Sequence, residues 1–424
     1  MSHLTSREGY MHLIDRINRF PLGAPPSQTL YKILSLLFTP QEAEQVSLLP
    51  ITPFDVKTAA SNWKISLLEA QKRLDELCSK ALLIDIDNDG NSTYVLPPPM
   101  AGFFEFSLMR TGGHVDQKIL SELFNQYLNV EEDFIKSLFS GETKMGRTFV
   151  NESVLSHENS IHVLDYERAS HVIESSPYMG VGMCYCRHKK AHLGEACDAP
   201  MDICMTFGST AHSLAKHGYT RLVEKTEGLE LLEQAREHRL VQLGENAQEG
   251  VTFICNCCGC CCEALTAARR FAFLTPVATT SFLPNIDESA CSGCTKCAQA
   301  CPVEAIAIVS ANDAHKPKKL KAVVDEERCL GCGVCASVCK NNVISLKERA
   351  QRILTPINSA HKTVMMAIER GKLQNLIFDN QALWSHRAMA AILGVLLKLP
   401  PLKQAMASEQ IKSRYFAKLL ANMS

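Results

Sequence analysis

The chain has 424 residues, a formal net charge of −1, and a composition of 46% hydrophobic and 21% charged residues. These values are ordinary for a globular protein of about two to four domains, at roughly 100–200 residues per domain. Charged residues interrupt the apolar ones through residues 1–19, which excludes a secretory signal there. The longest apolar run, Ala388–Leu397, is far shorter than the roughly 20 residues that cross a bilayer. We therefore expect a cytoplasmic protein without a transmembrane segment.

The first predicted domain, residues 1–110, has the pattern of a winged helix. Apolar spacing predicts three helices followed by two strands: Thr29–Phe38, Phe54–Ser61, a helix after Ser66, Leu82–Ile84 and Tyr94–Leu96. Ser66 and Glu69 have the spacing of a capping box, in which each side chain bonds the other's backbone amide. The Asp89-Gly90 step favours a tight hairpin turn between the strands. This order of elements resembles the winged helices of transcription regulators.

Acidic residues in this domain argue against DNA binding, because phosphate contacts need net positive charge on the docking face. The third helix and wing carry mixed charges: Lys64, Lys72, Arg73 and Lys80 beside Glu69, Asp75, Glu76, Asp85, Asp87 and Asp89. We expect a protein-docking or structural role. A redox-sensing, DNA-binding regulator is kept as an alternative.

Residues 111–180 are predicted to be a helical connector with one short extended segment. Four apolar residues follow helical spacing and indicate a buried stripe: Leu120, Leu123, Phe124 and Leu128. We interpret this stripe as core rather than as a functional surface.

The next predicted domain, residues 181–285, contains ten cysteines: Cys184, Cys186, Cys197, Cys204, Cys255, Cys257, Cys258, Cys260, Cys261 and Cys262. Disulfides rarely persist in a reducing compartment, so this crowding indicates metal ligation. A helix predicted near Glu263 would stabilise thiolates with its N-terminus, and Arg187 and the lysines after it could balance anionic sulfurs. Ten thiols suit two further four-cysteine clusters with two left over, or one cluster and a reactive thiol group.

Eight further cysteines form two ordered runs: Cys291, Cys294, Cys297 and Cys301, then Cys329, Cys332, Cys335 and Cys339. Both runs read C-x2-C-x2-C-x3-C. This spacing lets three thiolates of one tight loop bind three corners of an iron–sulfur cube, while the fourth serves a neighbouring cube. Two such runs in tandem predict two [4Fe-4S] clusters and electron transfer.

Residues 287–345 resemble bacterial two-cluster ferredoxins. The resemblance implies that cluster one binds Cys291, Cys294, Cys297 and Cys339, and that cluster two binds Cys329, Cys332, Cys335 and Cys301. Three glycines would allow close approach of the backbone to the clusters: Gly293, Gly331 and Gly333. Lys340 replaces the usual proline after the second run and would place a positive charge near cluster one. Together with the upstream cysteines, the chain resembles larger 4Fe-4S dicluster proteins of anaerobic bacteria that carry a winged helix, which implies no particular activity.

Two basic segments are candidate contact surfaces. The first is the loop at residues 315–321, which lengthens the link between the two cysteine runs. The second is the predicted helical tail, residues 349–424, because the chain from Lys340 onward has 13 basic and 4 acidic residues. Either segment could contact an acidic redox partner, and the tail could contact an anionic membrane surface. The alternative is that both segments are simply solvated.

The sequence therefore predicts an α+β, multidomain protein: a winged-helix domain, a connector, a Cys-rich helical domain, a two-cluster ferredoxin-like module at residues 286–348, and the tail. We expect an iron–sulfur electron-transfer protein that acts within an oxidoreductase system as a carrier rather than as a stand-alone enzyme. No catalytic residue is identified. A reductase with its own active site at residues 184–262 is the second alternative.

Overall fold

The computed structural model describes residues 2–88, 91–113, 115–156, 160, 162–271, 274–312 and 319–379. The chain forms two compact units. Unit 1 comprises Met1–Thr143, Ser209–Arg221 and Ser359–Ser424, and unit 2 comprises Lys144–Gly208 and Leu222–Asn358. Both helices and strands are present, as the predicted α+β class requires.

The helices, in chain order, are α1 (Ser2–Ile17), α2 (Gln28–Leu37), α3 (Pro40–Ser47), α4 (Val56–Trp63), α5 (Leu67–Ser79), α6 (Phe104–Phe106), α7 (Gln117–Asn125), α8 (Asp133–Phe139), α9 (Ala169–Ser175), α10 (Tyr185–His192), α11 (Gly208–Lys216), α12 (Lys225–Glu237), α13 (Glu263–Arg270), α14 (Lys296–Ala300), α15 (Val334–Ser337), α16 (Ser359–Glu369) and α17 (Leu373–Ile377). The strands are β1 (Phe54–Asp55), β2 (Ile84–Asn88), β3 (Asn91–Val95), β4 (Gly146–Thr148), β5 (Met179–Met183), β6 (Asp202–Phe207), β7 (Thr220–Leu222), β8 (Val241–Glu245), β9 (Phe253–Cys257), β10 (Val277–Ala278), β11 (Phe282–Ile286), β12 (Ile306–Ser310), β13 (Leu320–Val324) and β14 (Ile344–Glu348).

In unit 1, the first hundred residues form helices α1 to α5 and a three-stranded sheet of order β1-β3-β2, with β1 placed between α3 and α4. The predicted hairpin is confirmed, since Asn88 pairs with Asn91 across a two-residue connection that lies outside the described residues. The predicted start of the second helix at Phe54 is wrong. Phe54 pairs with Tyr94 in the sheet, and α4 begins after Asp55, whose carboxylate accepts the Thr58 amide at 2.8 Å.

Of the two hydrogen bonds predicted for the Ser66–Glu69 capping box, one is present. The Ser66 hydroxyl accepts the Glu69 amide at 3.2 Å and so begins α5. The Glu69 carboxylate, however, pairs with Arg73 one turn further along the helix. A full capping box forms instead at α3, which the sequence reading had missed. There Thr39 accepts the Glu42 amide, and the Glu42 carboxylate accepts the Thr39 amide at 2.8 Å.

The stripe predicted in the connector lies in the core, with Leu120, Phe124 and Leu128 fully buried. The C-terminal part of unit 1 is anchored by Asp379. Its carboxylate binds Arg16 at 2.5 Å and accepts the backbone amides of Ile51 and Thr52 at 2.5 and 3.0 Å. Of the predicted helical tail, residues 349–424, the described part forms α16 and α17. Residues 380–424 lie outside the described residues.

The Cys-rich segment is not mainly helical, which corrects the sequence prediction, because its helices α10 to α13 alternate with strands. It contributes most of a sheet with strand order β10-β4-β8-β9-β6-β5-β7. The connector contributes β4 and the start of β5, so it extends into the same sheet. The prediction failed because β8 is buried along its whole length and β6 along all but its first residue. Such strands lack the alternation of polar and apolar residues that marks a strand with one exposed face.

The two-cluster module contains two pairs of strands. β11 pairs with β14, β12 pairs with β13, and both pairs are antiparallel. Each cysteine run lies between two of these strands and contains a short helix, α14 in the first run and α15 in the second. Within the described ranges, the search for a helix long and apolar enough to cross a membrane found none.

Candidate metal centres

Four cysteines of the two-cluster module line one pocket: Cys301, Cys329, Cys332 and Cys335. This is the ligand set that the ferredoxin resemblance implies for cluster two. Burial raises the pKa of Cys329 and Cys335, and it raises the pKa of Cys332 to about 12. Without a metal these thiols hold their protons near neutral pH, so a bound metal must displace them.

Backbone amides point at the sulfurs of this pocket. The Ala305 amide donates to Cys301 Sγ at 3.2 Å, and the Gly331 amide donates to Cys329 Sγ at 3.4 Å. Gly331 has a φ of +71°, and a Cβ there would lie 2.2 Å from the Phe282 carbonyl oxygen. Only glycine satisfies both conditions, which agrees with the close approach expected at this position.

The cysteines implied for cluster one surround a neighbouring small core. Cys291 and Cys297 are buried in it, and Cys339 packs against it. Cys294 is exposed, and the Lys296 amide hydrogen-bonds its sulfur, which lowers the pKa of Cys294. Gly293 has a φ of +64° and lies against Leu320, whereas Gly333 (φ +85°) begins α15. Lys340 is exposed beside Cys339.

The ten upstream cysteines separate into two groups. We call the first the four-thiol site: Cys197, Cys258, Cys260 and Cys261, whose sulfurs all lie within 4.8 Å of one another. The Sγ of Cys197 is 3.6 Å from that of Cys258 and 3.8 Å from that of Cys261. Hydrogen bonding from Cys261 lowers the pKa of Cys258 to about 4, so this thiol is readily deprotonated for metal binding.

The other six cysteines form what we call the six-thiol site: Cys184, Cys186, Cys204, Cys255, Cys257 and Cys262. Their sulfurs are hydrogen-bonded in the order 184, 204, 255, 257, 262, 186. Four are buried, Cys186 and Cys255 are half-buried, and none is exposed. Hydrogen bonds from Cys204 and Cys257 lower the pKa of Cys255 to about 6. The arrangement therefore favours a set of metal ligands enclosed by protein.

Two helices begin at the six-thiol site. Cys184 precedes the first residue of α10, and Cys262 precedes the first residue of α13. Backbone amides of α13, those of Ala264 and Leu265, bond the Cys262 sulfur and help to lower its pKa. The positive ends of two helices are suited to a negatively charged metal–thiolate group.

The six-thiol site shares a hydrophobic core with the two-cluster module. Cys257 and Cys262 are buried in the same cluster of side chains as Cys329, and Cys255, Cys301 and Cys332 pack against it. The backbone also approaches closely, because a Cβ on Gly259 would lie 2.7 Å from the Pro302 carbonyl oxygen. The two cysteine-rich regions are therefore contiguous inside unit 2.

Residues 290–343 match the family model of the 4Fe-4S dicluster domain. The chain therefore contains a two-cluster ferredoxin-type module. That module binds [4Fe-4S] clusters and is part of a larger iron–sulfur electron-transfer protein. Searches of the curated proteins and of the solved structures found no match to the chain.

Arg187 lies between the two upstream groups and is 1% exposed. Its guanidinium donates to the Pro200 and Asn256 carbonyl oxygens at 2.8 and 2.6 Å. Burial disfavours its charge, but the nearby thiolates, Cys184 foremost, outweigh that effect and raise the pKa of Arg187. Arg187 is thus a buried cation that offsets sulfur charge, as predicted for this position.

Three positioning residues were missed or only partly foreseen. Asn256 lies between Cys255 and Cys257, and its side chain donates to the Ile203 carbonyl at 2.7 Å and accepts from Gln242 at 3.1 Å. The fully buried Lys189 pairs with Glu263, which ties α10 to α13. Two features of the sequence could have indicated these roles. Asn256 is a polar residue between two cysteines, and Glu263 is an acidic residue directly after Cys262.

Proposed function

We propose that this protein relays single electrons between the two clusters of its ferredoxin-type module and one further iron–sulfur cluster held by the six-thiol site. The donor and acceptor would belong to an oxidoreductase system that the protein serves as a carrier. The observation that carries the proposal is the shared core, in which Cys257 and Cys262 lie beside Cys329. Clusters bound at these positions would be close neighbours, and one-electron transfer between them needs no movement of the protein.

The burial of the six thiols favours a relay over the alternative of a reductase. A thiol that attacks a disulfide or a small molecule must be reachable by it. The six-thiol site has no exposed sulfur, and Cys260, the exposed upstream cysteine, belongs to the four-thiol site. Enclosed ligands suit a cluster whose potential is set by burial and nearby charge.

The test compares the anaerobic wild-type protein with Cys257→Ser. We expect the variant to lose about four irons per chain, since serine removes one ligand of the third cluster. In EPR of the reduced protein, signals of the two ferredoxin-type clusters should remain. Cys78→Ser is the matched control, because Cys78 is equally buried but lies in unit 1. Unchanged iron content in Cys257→Ser would contradict the proposal.

We also propose that the N-terminal hundred residues are a winged helix used for protein docking. The order β1, α4, α5, β2, β3 and the sheet order β1-β3-β2 support this fold. Two cations of the third helix region are already paired within the domain, Arg73 with Glu69 and Lys80 with Glu42. This pairing leaves less positive charge for DNA phosphates, so it disfavours the regulator alternative.

An acidic redox partner is the partner that we propose, and the cytoplasm is the proposed location. The basic loop at 315–321 is one candidate contact, although Lys319 donates to the Ser289 carbonyl oxygen and Lys321 pairs with Glu288 at 2.5 Å. The basic tail is the other candidate, and contact with an anionic membrane surface through it stays an alternative. Salt-dependent association would be expected for either surface.

A further inference from the structure

The four-thiol site is geometrically distinct from the iron–sulfur ligands around it. We propose that Cys197, Cys258, Cys260 and Cys261 together bind one Zn²⁺ ion as a tetrahedral tetrathiolate site. These four cysteines would then not be ligands of an iron–sulfur cluster. The proposal does not depend on the electron relay, because it concerns a separate ion with a structural role.

The sulfur separations carry the proposal. Three Sγ–Sγ distances in the site are 3.6, 3.7 and 3.8 Å, for the pairs 197–258, 260–261 and 197–261. Four sulfurs at about 2.3 Å from one ion, at the corners of a tetrahedron, lie ~3.8 Å apart. What distinguishes the four-thiol site is that all four sulfurs lie within 4.8 Å of one another. In an iron–sulfur cube each cysteine binds a different iron at a different corner, so four ligand sulfurs cannot all converge in this way. The observed spacing therefore fits one ion.

The two chain segments that supply the thiols are distant in sequence. Cys197 lies in the loop between α10 and β6, and the other three lie in the turn between β9 and α13. One ion would fasten this loop to this turn. A site with four protein ligands and no open position is the kind that zinc occupies in a structural role.

Two hydrogen bonds hold the turn between β9 and α13 in place. Arg269 donates to the Gly259 carbonyl oxygen at 3.1 Å, and the Cys262 amide donates to the Cys258 carbonyl oxygen at 3.3 Å. Four thiolates around a divalent ion leave a net charge of −2, which Arg187, close to Cys258, can partly offset.

Zinc is favoured over ferrous iron in such a site. Tetrahedral sulfur coordination suits both metals, but a given site binds Zn²⁺ more tightly than Fe²⁺ in the usual order of divalent affinities. The sulfur ligands and four-coordinate geometry argue against Mg²⁺ and Ca²⁺, which prefer oxygen ligands.

The experiment measures zinc, iron and acid-labile sulfide in the full-length protein purified anaerobically, for the wild type and for Cys260→Ser. Cys260 is chosen because it is exposed, so its substitution should disturb folding least. We expect one zinc per chain in the wild type, and a loss of most of it in Cys260→Ser with iron and sulfide unchanged. Replacing zinc by Co²⁺ should give the visible bands of tetrahedral cobalt thiolate in the wild type alone.

Cys257→Ser is the matched comparison, because it removes a thiol of the six-thiol site two residues before the turn's Gly259. That variant should keep its zinc and lose iron, so failure of the zinc assignment and failure of the relay are distinguishable. The zinc assignment is overturned if Cys260→Ser loses iron and sulfide instead, or if the wild type binds neither zinc nor Co²⁺. Cys197→Ser repeats the test from the other loop, should Cys260→Ser not fold.

Discussion

Single residues decide how close the backbone comes to the cysteines that the ferredoxin resemblance implies for cluster two. Gly331 combines a left-handed conformation with contacts that leave no room for a side chain, since a Cβ would lie 2.1 Å from Thr280 Oγ1 and 2.2 Å from the Phe282 carbonyl oxygen. Its amide also donates to the Cys329 sulfur. Any larger residue must shift this loop, and with it the cluster ligands on either side.

We predict that Gly331→Ala lowers iron binding by the module, with a loss approaching the four irons of one cluster. Iron and sulfide analysis after anaerobic reconstitution measures this loss.

Gly250→Ala is the matched control. Gly250 also has a positive φ, +63°, but nothing lies within 4 Å of the added Cβ. Gly250→Ala should lower the free energy of unfolding only by the backbone strain, about 1–2 kcal/mol, and the variant should keep the full iron content. Equal iron content in both variants would contradict the argument.

At the scale of elements, one carboxylate joins the wing of unit 1 to α11 and the residue after it. Asp85 in β2 accepts hydrogen bonds from Ser213 at 2.5 Å, Lys216 at 2.5 Å and His217 at 3.1 Å. Burial alone would raise the pKa of Asp85, but these three hydrogen bonds, His217 first, outweigh it and hold the pKa well below its usual value. The ionised form is therefore the stabilising one.

A carboxylate whose pKa is depressed by folding contributes stability above its unfolded pKa of about 3.9 and loses it as the pH falls through the folded pKa. We predict that Asp85→Asn destabilises unit 1 by about 1–3 kcal/mol at neutral pH. The difference from the wild type should shrink below about pH 4. Urea denaturation at several pH values measures this. A difference that stays constant down to acid pH would show that Asp85 acts through packing alone.

The order of strands in the sheet decides which cysteines come together, and sequence spacing predicts only part of that grouping. The eight module cysteines could be predicted because each run supplies three ligands from one short loop, a relation that spacing alone encodes. The grouping of the other ten could not, because Cys197 meets Cys258 across 61 positions of sequence. That approach depends on the order of β9, β6 and β5 in the sheet, and strands of five or six mostly buried residues carry little periodicity.

At the scale of the whole molecule, unit 2 brings eighteen cysteines into three adjoining regions. The ferredoxin-type module accounts for eight of them, the six-thiol site shares the module's core, and three of the four thiols of the four-thiol site lie in the turn between β9 and α13. The candidate metal sites are thus contiguous within unit 2. Unit 1 has its own core and contains Cys78, the one cysteine outside this assembly.

We propose that the six-thiol site holds a third cluster. The most direct measurement is the iron and acid-labile sulfide content of the anaerobic wild-type protein, combined with spin quantification by EPR after full reduction. We predict about twelve irons per chain and, after full reduction, more than two unpaired spins per chain. About eight irons with only the two ferredoxin-type signals would contradict the account.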